Sequence, residues 1–241
     1  FPAMSLASER ALPATDVPAN QYLNLEGKQF SKSAGWYVDA KEALEQFGPD
    51  TLRYYLLSIL PENSDTSFTW KGFQARINGE LANNIGNLVS RCLKFWSKKW
   101  KEGIPAEAFQ SFFGSEMEKK CQDALERQHQ LIEQKQLRRA LENFMNLGGE
   151  VNSFFTEKAP WAVYKEDEQR ASHIIAETGL MILILGAMAR PFMPNLGEKI
   201  CENYGEWVDD ELMTALYRGE FQKLKERLPE NVQLAGAPKI L

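Results

Sequence analysis

The sequence predicts a mainly α protein: a small α+β part at the N-terminal side, followed by an antiparallel helical bundle. Three observations lead there. Residues 1–37 hold the turn formers Pro2, Pro13, Pro18, Gly27 and Gly35 between short apolar pieces, the pattern of loops with one or two strands. Leu81, Ile85, Leu88, Cys92 and Phe95 recur at spacings of four and three, one buried stripe of a long helix. The run 174–188 is apolar apart from a few positions such as Glu177 and is shorter than a bilayer span requires, so it reads as a buried core helix.

The elements follow in order. Gln21-Tyr22-Leu23-Asn24-Leu25 is the best strand candidate. Asp39 with Glu42 three residues later forms a capping-box pattern for a helix that Gly48-Pro49 ends. Asp50 is expected to cap a second helix over 51–60, stopped by Pro61. Residues 64–69 form a short polar loop or strand leading to Trp70. Everything beyond reads as helix: the 81–95 stripe, then a long amphipathic run over 116–155 with a bend expected near Gly148-Gly149. Pro160 suits the first turn of a third helix. A fourth covers 172–190, closed by Pro191 and Pro194, and shorter helices follow around 195–204, 209–217 and 221–228. No internal repeat is evident. The expected division falls at residue 70, giving units 1–70 and 71–241.

Composition sets the outer bounds. With 241 residues, 44% hydrophobic and 25% charged, the chain can bury one or two cores of ordinary globular character. A formal net charge of −5 supplies no overall basic field, so a nucleic-acid partner requires a local patch. Cys92, Cys121 and Cys201 are scattered singly, without zinc-ligand spacing or a disulfide framework, which fits a reducing cytoplasm. His129 and His173 lie far apart and read as structural. No metal site and no membrane partner are expected. Phe1-Pro2-Ala3-Met4 lacks the basic start and apolar run of a secretory signal. The opening reads as mid-domain sequence, so a fragment is the expectation.

Three constellations carry chemistry. Leu25-Glu26-Gly27-Lys28-Gln29-Phe30-Ser31-Lys32-Ser33 combines two ammoniums, two hydroxyls and a glycine, the properties needed to hold a polyphosphate whose charge shifts during reaction. A solvated polar turn fits the same residues. Asn87 and Arg91, four apart, share a helix face beside the Leu88/Cys92 line, and an amide next to a guanidinium can read base edges. An ordinary solvated flank fits equally. Lys158-Ala159-Pro160-Trp161 places an indole at a helix entrance, as a core residue, an interface residue or a stacking platform. The basic-aromatic run 94–101 reads first as a helix end, where lysines favour the negative pole. Lys135, Arg138 and Arg139 read as a solvated face or helix-neighbour ion pairs.

Phe30-Ser31-Lys32-Ser33 resembles the second signature of class I aminoacyl-tRNA synthetases, Lys-Met-Ser-Lys-Ser. Gly48-Pro49-Asp50-Thr51-Leu52-Arg53-Tyr54-Tyr55 resembles the segment those enzymes carry just downstream. Asn24-Leu25-Glu26-Gly27, with Phe30 in place of Met, is similar to methionyl-tRNA synthetases in particular. Gln29 stands where the signature has its first lysine, with Lys28 one place earlier. The Asn-Leu-x-Ser-Arg pattern of 87–91 resembles that family's anticodon-reading helix, and Ala159-Pro160-Trp161 its motif whose tryptophan stacks on the first anticodon base. Ala237-Pro238-Lys239-Ile240-Leu241 resembles the segment that closes the synthetase core.

The resemblance implies roles for these residues. Lys32, Ser31 and Ser33 would be catalytic, and with Lys28, Gln29 and Phe30 would bind ATP. Asn87, Arg91 and Trp161 would bind the anticodon. It implies ATP with Mg2+ as cofactor, and methionine and tRNA(Met) as partners of a full-length methionine–tRNA ligase. Residues 1–70 would be the end of the catalytic domain with a connecting stem-contact element, and 71–241 the anticodon-binding domain. The family's first signature, of His-x-Gly-His type, does not occur here. Its methionine pocket and zinc-bearing insertion lie upstream, so neither zinc nor standalone activity is expected. The isoleucine, valine, leucine and cysteine enzymes share the loop and a helical anticodon domain. A non-catalytic helical interaction module is the reading of a different class, and it would leave Asn87, Arg91 and Trp161 dispersed or buried.

Overall fold

The structure is a computed structural model that describes residues 16–236 together with Ala7 and Pro238. The readings placed on Phe1 to Met4, Pro13, Ala237 and the last three residues lie outside the described residues. The small N-terminal part is βααβα. Strand β1 (Leu23–Leu25) pairs in parallel with β2 (Thr66–Phe68), Leu25 opposite Phe68, and helices α1 (Ala40–Phe47) and α2 (Pro49–Ser58) form the crossover. Helix α3 (Trp70–Arg76) follows. Leu25, Ala43, Leu52, Tyr55, Phe68 and Phe73 make its core. Asp39 caps α1 as expected, accepting from the Lys41 and Glu42 N–H groups at 2.9 and 3.1 Å.

Asp50 departs from its expected role. Helix α2 starts at Pro49 behind Gly48, without a side-chain cap. Asp50 is one residue inside the helix, and its Oδ2 accepts the distant Leu196 N–H at 2.7 Å.

The bundle has its own larger core. A π-helical segment (Ile77–Gly86) continues α3 and runs directly into α4 (Asn87–Lys99). The expected stripe is present: Ile85, Leu88 and Cys92 are buried, with Leu81 and Phe95 packed at the margin. Its first half closes with the wider i→i+5 turn instead of α geometry. After β3 (Ile104–Pro105) and α5 (Ala106–Phe109) come α6 (Glu116–Glu133) and α7 (Leu137–Lys158). These two replace the single run expected over 116–155. The chain turns at 134–136 with Lys135 left-handed at φ 60°, and α7 continues unbroken through Gly148 and Gly149.

Helix α8 (Pro160–Val163) opens with its proline, and α9 (Glu168–Ala189) forms the centre of the bundle. It begins four residues before the expected start, capped by Asp167. It packs against α4, α5, α6, α7 and α8, and against the two helices that follow it, α10 (Pro194–Glu202) and α11 (Asp210–Tyr217). α9 is the one described helix long and apolar enough to cross a membrane; 89% of its most apolar window is buried inside the protein. Helix α12 (Phe221–Arg227) precedes β4 (Asn231–Val232), which pairs antiparallel with β3, a closure the sequence reading did not contain.

Gly148 is required where the π-helical segment meets α7. A Cβ there would lie 2.3 Å from Ile85 Cδ1, whereas one at Gly149 would meet only Asn84 Nδ2 at 3.8 Å. Ile85 is fully buried. Gly148→Ala is expected to destabilise by about 1 kcal/mol, overpacking outweighing the gain in helix propensity. Gly149→Ala is expected to stabilise by up to about 1 kcal/mol. Chemical denaturation of both variants checks this, and equal effects would contradict the proposed contact.

Candidate functional site

The lysine-serine stretch folds as two nested reversals. Leu25 and Lys28 exchange backbone hydrogen bonds at 2.8 and 3.0 Å around Glu26 and Gly27, both left-handed at φ 49° and 76°. That positive φ pair makes a tight hairpin turn for which glycine suits the second position. Ser31 and Trp36 then pair at 2.9 and 2.8 Å, enclosing Lys32 to Gly35 as a closed tip, with Gly35 at φ 66°. Within the tip Ser31 Oγ accepts the Ala34 N–H at 3.3 Å and lies 3.2 Å from Ser33 Oγ. Ser31 therefore shapes the loop, while Lys32 and Ser33 are exposed at its end.

Two residues not singled out from sequence support this tip. Trp36 donates its indole N–H to Leu25 O at 3.0 Å, and its ring lies beneath Lys28 Nζ at 5.3 Å. Lys28 is thereby held on the hairpin, while Gln29 and Phe30 are exposed beside it. Glu26 Oε1 accepts the Trp70 N–H at 2.8 Å at the start of α3, and the Gly27 N–H donates to Ser67 Oγ at 2.8 Å. The hairpin is thus anchored to β2 and α3. A tryptophan five residues beyond the serine was the available signal for Trp36; Glu26 had none.

The second site lies on the bundle. Arg91 is exposed on α4, and its Cζ sits 5.1 Å from the Trp161 ring centroid and 5.3 Å from that of Phe155. The two rings meet edge to face at 5.6 Å. Trp161 reaches this position because Ala159, at φ 42°, reverses the chain between α7 and α8, and Pro160 starts the next helix. Phe155 is fully buried and Trp161 is 39% exposed, so Trp161 is the ring of this cluster that reaches the surface, beside the exposed Arg91. Asn87 is exposed one turn before Arg91, its amide 3.5 Å from Asn83 Oδ1. Arg91 and Trp161 are in contact, while Asn87 stands on the same helix one turn away. Phe155 was missed from sequence because a buried phenylalanine on an amphipathic helix carries no sign that a cation covers it.

The other charges are as bland as read, except that Lys135 lies in a turn and pairs with a residue distant in sequence instead of a helix neighbour. Lys98 and Lys99 occupy the last turn of α4, with Lys99 Nζ 4.3 Å from the Tyr164 ring centroid. Arg138 pairs with Glu142, and Lys135 with Asp16. Burial raises the Cys92 and Cys121 thiols far above their ordinary range, which leaves them unreactive, and the three cysteines are unpaired. His129 packs against Tyr217 at 4.5 Å. No group of three or more His, Cys, Asp or Glu able to hold a metal ion is present among the described residues.

A loop of exposed lysines and serines on an α/β part runs helix to helix into a bundle that carries a cation–aromatic pair, and comparison with known proteins places this arrangement among the class I aminoacyl-tRNA synthetases. The family model described as "tRNA synthetases class I (M)" matches residues 1–93. A second, described as "Anticodon binding domain of methionyl tRNA ligase", matches residues 104–232, more than half of the chain. The chain belongs to the methionyl-tRNA ligase family. It is 34% identical to the methionine–tRNA ligase of Chloroherpeton thalassium over its whole length, covering 35% of that protein. It is 37% identical to that of Pyrococcus abyssi over 77% of the chain, covering 26% of that protein. Among solved structures it is similar to Mycobacterium tuberculosis methionyl-tRNA synthetase in complex with methionyl-adenylate: TM-score 0.78, 26% identity, 98% of this chain and 45% of that one. The chain therefore spans about a quarter to a third of the length of these two curated relatives.

Proposed function

We propose that this chain works as part of a methionine–tRNA ligase. The complete enzyme activates methionine with ATP and esterifies it to tRNA(Met). Residues 1–70 supply the end of the catalytic domain with its ATP-stabilising loop, and 71–241 the anticodon-binding bundle. In activation the methionine carboxylate attacks the α-phosphate and pyrophosphate leaves. Charge builds on the phosphoryl oxygens, and an ammonium that meets it best in the transition state lowers the barrier. Lys32 takes that role at the exposed tip, with Ser33 beside it and Ser31 shaping the loop. Lys28 engages the same phosphates in place of the lysine that Gln29 displaces, and Phe30 borders the site. The donor set of ammoniums and hydroxyls suits a polyphosphate. Mg2+ would arrive with the nucleotide and neutralise part of its charge.

The observation that carries the reading is the exposed Arg91–Trp161 pair. In a helical scaffold module such a pair would add only about 0.5–1 kcal/mol of stability, whereas a flipped base stacks on such a ring and bonds to such a cation. Asn87 completes the reading face, its amide offering a donor and an acceptor where the guanidinium offers donors only. The cytoplasm is the proposed compartment, in keeping with three unpaired cysteines.

The test is binding of a labelled anticodon hairpin from a methionine tRNA to this chain by fluorescence anisotropy. Binding is expected to weaken as salt rises. It is also expected to fall at least tenfold when the first anticodon base is changed. Binding indifferent to the anticodon would overturn the assignment.

A further inference from the structure

The bundle helices differ in where their terminal caps come from. Helices α6, α9 and α11 carry their own: Ser115, Asp167 and Asp209 each accept a first-turn N–H of the helix they precede. Helices α7 and α10 do not, since Gln136 and Met193 stand at their cap positions without a side-chain bond. Both are capped instead from the N-terminal part. Glu62 Oε1 accepts the Arg138 N–H at 3.0 Å in the first turn of α7. Asp50 Oδ2 accepts the Leu196 N–H at 2.7 Å in the first turn of α10.

A third contact joins α2 to the turn between α9 and α10. Arg53, one turn after Asp50 on α2, donates from Nε to Phe192 O at 2.6 Å and from Nη2 to Pro191 O at 2.8 Å. Those carbonyls belong to the turn that leaves the C-terminus of α9. Carboxylates therefore meet two positive helix poles, the favourable sense, while the guanidinium ties α2 to the turn between α9 and α10.

These contacts sit at both ends of α2. Asp50 and Arg53 mark its start, and Glu62 follows just after its end at Ser58. Between them Tyr54 of α2 is buried in the bundle core and donates to Glu80 Oε2 at 2.8 Å, and the polar attachments on either side, separated by a helix of about 15 Å, fix the orientation of that packed helix. Near the start of α2 the two parts otherwise border an open groove of about 410 Å³ lined by Gly48, Asp50, Ile77, Leu81, Met193 and Leu196. Helix α7, whose start Glu62 caps, carries Phe155 at its far end and leads into Trp161. The lysine-serine hairpin is anchored to β2 and α3, which share the core that α2 covers with Leu52 and Tyr55.

We infer that Asp50, Arg53 and Glu62 are positioning residues: they hold the anticodon-reading bundle at a set angle to the ATP loop, so that a tRNA gripped at Arg91 and Trp161 delivers its acceptor end to the activated amino acid. This rests on the function proposed above. A misplacement of about 1 Å at a reacting centre can cost on the order of 10²-fold in rate, so a small rotation about α2 would register in transfer.

The test uses the complete ligase carrying this chain, with the double variant Asp50→Ala/Glu62→Ala and the single variant Arg53→Met. ATP–pyrophosphate exchange and hairpin binding are expected to stay within twofold of wild type. The kcat of tRNA aminoacylation is expected to fall at least tenfold, with the KM for tRNA little changed. The pair Asp50→Asn/Glu62→Gln, which keeps the acceptor oxygens, is expected to recover much of the loss, and Arg53→Met carries the test alone should thermal unfolding show that the alanine pair does not fold. Unchanged aminoacylation overturns the inference. So does a parallel loss of hairpin binding, which would mean that these residues only maintain the bundle. Anticodon-indifferent hairpin binding by the wild type sinks the underlying functional reading instead, and is scored before any variant is made.

Discussion

Lys32→Ala in the complete ligase is expected to slow methionyl-adenylate formation by roughly 10²–10³-fold, the size of effect seen when a donor to developing negative charge is removed. Lys32 sits at the tip of a hairpin closed by the Ser31–Trp36 pairing, exposed and with no carboxylate bonded to it among the described residues. Its ammonium is available to phosphate oxygens and is expected to bind them most strongly when charge peaks. The loss should therefore appear in kcat of pyrophosphate exchange, with the KM for methionine nearly unchanged. Hairpin binding, which uses the bundle, should not move. Lys28→Ala is expected to cost less, because Trp36 fixes Lys28 on the stem of the hairpin and not at its tip. Near-normal single-turnover adenylate formation in Lys32→Ala would remove the role.

Trp161→Ala is expected to weaken anticodon binding by about 1–3 kcal/mol, the worth of one stacked base. The same substitution strips the platform from beneath Arg91, which retains only the buried Phe155 ring. The two contributions act at one spot, so Arg91→Ala and Trp161→Ala are expected to be less than additive in a double-mutant cycle. Trp161→Phe should keep part of the affinity, since a smaller ring still stacks. Pyrophosphate exchange in the complete ligase should be untouched. Unchanged aminoacylation of the methionine tRNA by Trp161→Ala would contradict the assignment. Trp96 is a useful contrast: it is fully buried in the same bundle, so its loss should unfold the protein before it alters recognition.

Much of the fold was legible because its signals are local. Asp39 announces a cap within three residues, Pro160 announces a first turn, and the 81–95 stripe needs only the helical period. Where such signals are missing, the reading failed for stated reasons. The break between α6 and α7 falls at Gln134-Lys135-Gln136, which contains neither glycine nor proline, while the adjacent glycines at 148–149 drew the bend instead. Of the two, Gly148 serves close packing against Ile85, which concerns a neighbouring element and not the helix's own path, while Gly149 has room for a side chain. The π-helical segment has poor helix formers at Gly79, Asn83, Asn84 and Gly86, but residue type alone does not distinguish a wider turn from an α turn. The β3–β4 pair is two residues long on each side and separated by more than a hundred positions, too short for any alternation to show.

For the candidate sites the division is similar. The sequence alone determined the inventory of chemistry: a loop with Lys28, Ser31, Lys32 and Ser33, a helix face with Asn87 and Arg91, and a tryptophan behind a proline. Those are properties of neighbours along the chain. Only the tertiary structure decided which distant groups meet. It put Arg91 over Trp161 and Phe155, Lys28 over Trp36, Asp50 and Glu62 on the starts of helices that lack their own side-chain caps, and Arg53 on the turn after α9. Asp50 shows the reason plainly. A carboxylate near a helix start satisfies a local cap and a remote one with the same chemistry, and only packing across 146 residues selects the partner.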